Sequence, residues 1–158
     1  MSKCKPPYKP LTNFEVSDLI PHRNPFCFVD RVVSCDETHC ICERTFTLEN
    51  SEFFKGHFPA YPVLPGVLVV ETMAQAGGCG LVAAGVYEQG LIFLLATINN
   101  VKFRRPIRPN EKIRMEITTL RAGDKLVRQC GKAFVGEELA AEGEWCCMLL
   151  ESSDIKLH

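Results

Sequence analysis

The stretch from Gly56 to Gln75 gathers side chains and backbone groups that can move protons or hold negative charge. His57 stands in Gly56-His57-Phe58-Pro59, and an imidazole can take or give a proton near neutral pH. Pro65-Gly66 reads as a helix start, because proline suits the first helical position, where its missing N–H is not needed. The Gly66 N–H then points out of the helix end, where the helix dipole favours an oxyanion. The Phe58 N–H is a second, weaker donor. Glu71 and Gln75 are four apart, so they share one helix face. They are the strongly polar side chains of the run Val63 to Val86. Desolvation in that run favours a carboxyl that keeps its proton, and Gln75 can orient it. A base, an oxyanion donor and an acid are therefore present. Each also has a bland reading. His57 can be a loop histidine bonded to backbone, and Glu71 can be a buried carboxyl satisfied by a neighbouring donor. Residue type and spacing leave both open.

These groups need a frame. Val63 to Val86 is long enough to cross a bilayer. Glu71, Gln75 and the glycines at 77, 78, 80 and 85 argue against a span, since a carboxylate at the bilayer centre costs roughly 2.5–3.5 kcal/mol or more. A helix apolar on nearly all sides is otherwise one enclosed by its own protein, with Gly77, Gly78 and Gly80 letting neighbouring backbone come close. The rest alternates with period two. Strands are predicted at Phe26 to Val33, Cys40 to Leu48, Leu91 to Phe103, Lys112 to Arg121, Leu126 to Phe134 and Leu139 to Leu150. Ile113, Met115 and Ile117 share one face. Turns fall at Ala122-Gly123-Asp124 and Val135-Gly136-Glu137. Asn13 to Ile20 reads as a short helix ended by Pro21, and Glu49 to Pro62 as a loop. Residues 1–12 read as a loose arm, 13–151 as one domain and 152–158 as a frayed tail. The class is α+β with an antiparallel sheet.

A chain of 158 residues suits one domain with a real core. The net charge of −1 gives no general pull toward nucleic acid or an anionic membrane. The nine cysteines are odd in number and mostly lie in apolar runs, where a thiol behaves as a small hydrophobe. His39-Cys40-Ile41-Cys42 is the nearest approach to a metal cluster, and its alternation reads better as a strand, so no metal is expected. The proline-rich start lacks the pattern of a signal peptide, and a reducing cytoplasm is the expected setting.

The string Gly56-His57-Phe58-Pro59-Ala60-Tyr61-Pro62-Val63-Leu64-Pro65-Gly66, continuing through Glu71 and Gln75, closely resembles the signature of FabZ-type (3R)-hydroxyacyl-acyl-carrier-protein dehydratases. Two further blocks match in order. They are Ile20-Pro21-His22-Arg23-Asn24-Pro25-Phe26 with Val29-Asp30-Arg31-Val32, and Ile98-Asn99-Asn100-Val101-Lys102-Phe103-Arg104-Arg105-Pro106. The resemblance spans about residues 17–150. It implies a hotdog fold, in which a curved antiparallel sheet wraps a long central helix. It implies a homodimer, often a hexamer built as a trimer of dimers, and dehydration of acyl chains carried on acyl carrier protein in fatty-acid synthesis. It implies catalysis by His57 and Glu71, meeting across the dimer interface, with no cofactor. Ala60 and Tyr61 stand where family members vary, often with glycine and histidine. The related dehydratase–isomerases carry aspartate at the position of Glu71.

Elimination of water from a β-hydroxyacyl thioester fits this set. His57 takes the α-proton, the Gly66 N–H holds the thioester oxygen, and Glu71 protonates the leaving hydroxyl. Lys102, Arg104, Arg105 and Arg108 form a basic run that reads either as solvated strand ends or as a dock for the acidic carrier protein. His22 reads as a turn residue, and His39 and His158 as incidental. The rival readings are a hotdog thioesterase, a hydratase acting on coenzyme A esters and a non-catalytic acyl-binding subunit. Polyketide or aryl-polyene synthesis would use similar residues.

Overall fold

A helix with no polar face has to be covered on every side, and the sheet supplies that cover. The computed structural model describes residues 9–156; the first eight residues of the expected arm and the last two of the expected tail lie outside it. Helix α1 (Val16–Leu19) precedes strands β1 (Arg31–Cys35) and β2 (His39–Thr45). The 3-10 turn Glu52–Lys55 and helix α2 (Gly66–Ala83) follow, then β3 (Ile92–Phe103), β4 (Lys112–Ala122), β5 (Leu126–Val135) and β6 (Glu138–Leu150). The six strands form one antiparallel sheet in the order β1-β2-β4-β5-β6-β3. Helix α2 touches all six, and every residue from Thr72 to Ala83 is buried. This is the hotdog arrangement that the resemblance implies. The helix is long and apolar enough to cross a membrane, yet 78% of it is buried inside the fold.

The period-two pattern sets the two sheet faces. Cys42, Met115, Ala133 and Ala141 line up across β2, β4, β5 and β6 on the helix side, and all four are buried. The outer side carries a row Glu116, Lys132, Glu142, Lys102 whose signs alternate from strand to strand, the favourable arrangement for cross-strand charges. Cys40 and Cys42 point inward, as their alternation predicts, and both thiols face the Ala76 carbonyl.

Several boundaries differ from the sequence reading. Leu19 and Ile20 are buried as expected, but α1 is a single turn. The strand expected from Phe26 begins only at Arg31, because the backbone of Phe26 and Phe28 bonds to the Gln75 side chain instead of a neighbouring strand. Pro65 stands one residue outside the helix with extended backbone, and its carbonyl accepts from the N–H groups of Leu68 and Val69. In the expected arm, the Leu11 N–H donates to the Ala83 carbonyl at 3.0 Å and its side chain packs on the core. The glycines of α2 admit side chains rather than backbone. The Gln129 carboxamide occupies the space at Gly77, the Phe93 ring that at Gly78 and the Cys40 side chain that at Gly80.

Gln129 is one of the polar residues buried in the core. It is 2% exposed, donates to the Gly77 carbonyl and the Thr119 hydroxyl, and accepts the Trp145 indole N–H at 3.3 Å. A methyl group at Gly77 would strike this carboxamide. Gly77→Ala gains about 1 kcal/mol of helix propensity but loses about 1–3 kcal/mol to overpacking and displaced hydrogen bonds. We expect a lower urea midpoint for this variant; a midpoint at or above that of the parent would contradict the packing described.

Candidate active site

The loop before α2 is pinned at both ends by its own backbone. The His57 N–H donates to the Phe53 carbonyl, the Val63 N–H to the His57 carbonyl and the Leu64 N–H to the Ile107 carbonyl, at 2.8–2.9 Å. The His57 imidazole Nδ1 lies 2.9 Å from the Val63 carbonyl oxygen. A carbonyl only accepts, so Nδ1 carries the hydrogen, and in the neutral ring Nε2 keeps its lone pair. This is the tautomer a general base needs. The Phe58 ring stacks on the imidazole at 4.2 Å.

The Gly66 N–H is at the first position of α2, and no hydrogen bond within the described residues engages it. A Cβ at this position would lie 2.8 Å from the Phe103 ring, so glycine leaves room for that ring against the helix start. Gly66, His57 and Phe103 line one open groove of about 520 Å³. The Phe58 N–H does not fit the donor role expected of it. It donates to the Tyr61 carbonyl at 3.0 Å, and the Tyr61 N–H returns the bond to the Phe58 carbonyl. Phe58 and Tyr61 themselves are about half exposed at the tip of the loop.

Glu71 belongs to a different cavity of the same chain. It lines a tight crevice of about 10 Å³ together with His22, Gln75, Phe93 and Cys147, room for about one water. Gln75 is 3% exposed and uses its whole amide. Its Oε1 accepts the Phe28 N–H at 2.8 Å. Its Nε2 donates to the Phe26 carbonyl at 3.0 Å and to Glu71 Oε1 at 2.9 Å. The orienting bond expected between Gln75 and Glu71 is therefore formed. Burial and the Glu71 charge push the Cys147 thiol up to about 12, which keeps it a neutral wall.

His22 is the residue the sequence reading missed. Its Nε2 lies 3.6 Å from Glu71 Oε1. Burial holds its imidazole below the ordinary histidine range, against the pull of Glu71 and together with the repulsion of Arg23. The signal available beforehand was a buried carboxyl in need of a second polar neighbour. The spacing between residues 22 and 71 could not supply that neighbour, because it depends on how the first loop crosses α2.

A FabA-like domain model matches residues 20–144. The chain belongs to the FabA-like family, among the FabZ dehydratases. It is 40% identical over 129 residues to the 3-hydroxyacyl-[acyl-carrier-protein] dehydratase FabZ of Desulforamulus reducens, which covers 82% of this chain and 90% of the relative. It is 38% identical over 142 residues to the FabZ of Oleidesulfovibrio alaskensis, covering 89% and 92%. Among solved structures, the dehydratase heterocomplex ApeI:P from Xenorhabdus doucetiae matches with a TM-score of 0.74 at 16% identity, covering 90% of this chain and 95% of that one. At that identity the likeness is one of fold.

The basic run of this FabZ-like chain is divided by the sheet. Lys102 lies on the outer face with Glu142, whereas Arg104 and Arg105 line the groove of His57. Arg105 is 17% exposed and is held by Glu111 at 2.8 Å and Glu138 at 3.8 Å, so it braces the β3–β4 connection instead of standing free. Arg104 is more exposed and touches Glu142 at 3.3 Å. Arg108 is exposed, and its backbone N–H donates to Glu111.

Gln75→Leu removes both partners of the Phe26–Phe28 backbone and the Glu71 contact. Each buried group left unpaired costs about 1–3 kcal/mol. The expected result is a loss of at least that size in urea titration, accompanied by reduced turnover. An unchanged midpoint would show that Gln75 does not clamp the segment.

Proposed function

We propose that two copies of this chain together dehydrate (3R)-hydroxyacyl chains on acyl carrier protein to the trans-2-enoyl products, in fatty-acid biosynthesis. The observation that carries this reading is the contact of His57 Nδ1 with the Val63 carbonyl, which in the neutral ring leaves Nε2 free as a base in the groove that Gly66, with its unbonded N–H, also lines. His57 Nε2 takes the α-proton and the Gly66 N–H holds the thioester oxygen as charge builds on it. Glu71 gives its proton to the β-hydroxyl. Water leaves, the Cα–Cβ double bond forms, and the enzyme is left with a protonated His57 and an ionised Glu71 that solvent resets.

Two features support a site built from two copies. Within one chain His57 and Glu71 line separate cavities, so one copy does not bring them together. The sheet also ends at β3, a long edge strand that among the described residues pairs only with β6 and exposes Leu94, Ile98 and Phe103. A long apolar edge favours pairing with another strand. In this reading β3 pairs with β3 of a second copy and brings His57 of one toward Glu71 of the other. A trimer of such dimers is the larger assembly it allows. Arg104 supplies the positive charge at the groove that the acidic carrier protein meets. Neither a metal nor an organic cofactor has a part in these steps. The described cysteines are free thiols, four of them buried, which supports a reducing cytoplasmic setting.

The decisive experiment mixes inactive subunits. His57→Ala and Glu71→Gln are each expected to lower hydroxyacyl-carrier-protein dehydration by about 10²-fold or more. Unfolded and refolded together in equal amounts, they should regain about a quarter of parental activity, because half of the dimers then hold one intact site. No recovery would overturn the shared site, and parental activity in either single variant would overturn the catalytic assignment. Release of free thiol without enoyl product would instead identify a thioesterase. A separate prediction concerns docking. Arg104→Glu should raise KM for carrier-protein substrates several-fold while leaving coenzyme A analogues nearly unchanged. Equal effects on both would remove Arg104 from the docking surface.

A further inference from the structure

The ring of His22 stacks on Phe26 with centroids 6.5 Å apart, but its nitrogens do nothing for the turn that contains it. The turn is held by Arg23, whose guanidinium donates to the carbonyls of Ser17, Ile20 and His22 at 2.7–2.9 Å. The Phe26 N–H closes it on the Arg23 carbonyl at 2.8 Å. His22 Nδ1 is buried and has no hydrogen-bond partner among the described residues. The other ring nitrogen faces Glu71 Oε1 at 3.6 Å. A half-buried histidine therefore directs its one engaged atom at the carboxyl that the reaction needs, and the fold gives it no other polar work.

The two neighbours of Glu71 converge on the same oxygen. Gln75 Nε2 donates to Oε1 at 2.9 Å, and His22 Nε2 faces that oxygen as well. An amide nitrogen can only donate. Oε1 is thereby an acceptor, and a proton on the carboxyl belongs on Oε2. The contact from His22 is longer than a formed hydrogen bond, and a closure of about 0.5 Å would make it one, as catalytic contacts commonly tighten when substrate binds. For His22 to donate, Nε2 must carry the hydrogen. Nδ1 is then a bare lone pair, which is cheaper to leave buried and unpaired than an N–H.

We infer that His22 is a positioning residue for the dehydration: with Gln75 it fixes Oε1 of Glu71 as the acceptor, leaving Oε2 to carry the proton delivered to the β-hydroxyl. The neutral ring is the working form. An imidazolium beside Glu71 would draw out its proton and leave a carboxylate with nothing to give. The titratable and charged groups around the ring are few. They are Glu71 on α2, Arg23 beside it in the turn and Cys147 on β6, which stays a thiol. Burial keeps the ring neutral to lower pH than a free histidine.

The inference rests on the dehydratase reading, and two amides test it separately from that reading. His22→Gln places an amide N–H near the position of Nε2. His22→Asn is shorter, and its amide falls near Nδ1, out of reach of Glu71. With hydroxyacyl-carrier-protein substrate, the Asn variant should lose about 10- to 100-fold in kcat with KM within about twofold of the parent, while the Gln variant recovers to within about threefold. The Gln variant should also lose any inflection in kcat that His22 contributes on the acid side of the pH profile. Urea titration of both confirms that they fold. Parental kcat in the Asn variant, or equal losses in both folded variants, would overturn the inference and leave the dehydratase reading standing. An inactive parent protein would overturn the dehydratase reading itself.

Discussion

The enclosure of α2 is the constraint on which the other features depend. From Thr72 to Ala83 the helix has no exposed side, so the strands must pass around it and the sheet must curve. Curvature needs small residues where strands and helix come closest. Gly77 meets the Gln129 carboxamide and Gly80 meets Cys40, and larger residues at either position would hold the layers apart. The same enclosure excludes water from most of the helix. Only the first turns, around Gly66 and Glu71, reach its edge, and the groups proposed to react are placed there.

Glu71 can reside on such a helix because Gln75 gives it a partner. One buried amide serves both the fold and the site. It replaces the missing strand partner of Phe26 and Phe28, and it holds one oxygen of the carboxyl. Positioning of Glu71 is therefore coupled to the path of the first loop, which is also what brings His22 to the crevice. His57 is fixed independently, through the Val63 carbonyl in the loop before the helix. The proposed acid and base thus belong to separately braced half-sites, the arrangement expected where two subunits each complete the other.

The surface shows the complementary logic. The outer face of the central strands alternates charge across Glu116, Lys132, Glu142 and Lys102, which suits a face that meets water. The free edge at β3 has no such protection at Leu94, Ile98 and Phe103. Arg105, which looks like one member of a docking patch when read along the chain, is consumed by Glu111 and Glu138. Linear clustering of charge did not distinguish a brace from a contact.

Read alone, the sequence determined the parts whose causes are local. Period-two alternation marked the long strands within one or two residues, and the unbroken apolar run announced an enclosed helix. Spacing by four put Gln75 against Glu71, and three ordered motif blocks placed the chain in its family. Tertiary structure decided what depends on distant segments meeting. It withdrew the Phe58 N–H by pairing it with Tyr61, replaced a strand at Phe26 with bonds to Gln75, split Lys102 from Arg104 and Arg105, and carried His22 across to Glu71. The physical reason is common to all four. A hydrogen-bonding group takes whichever partner the folded chain presents, and a residue's own neighbours in sequence do not reveal which partner that is.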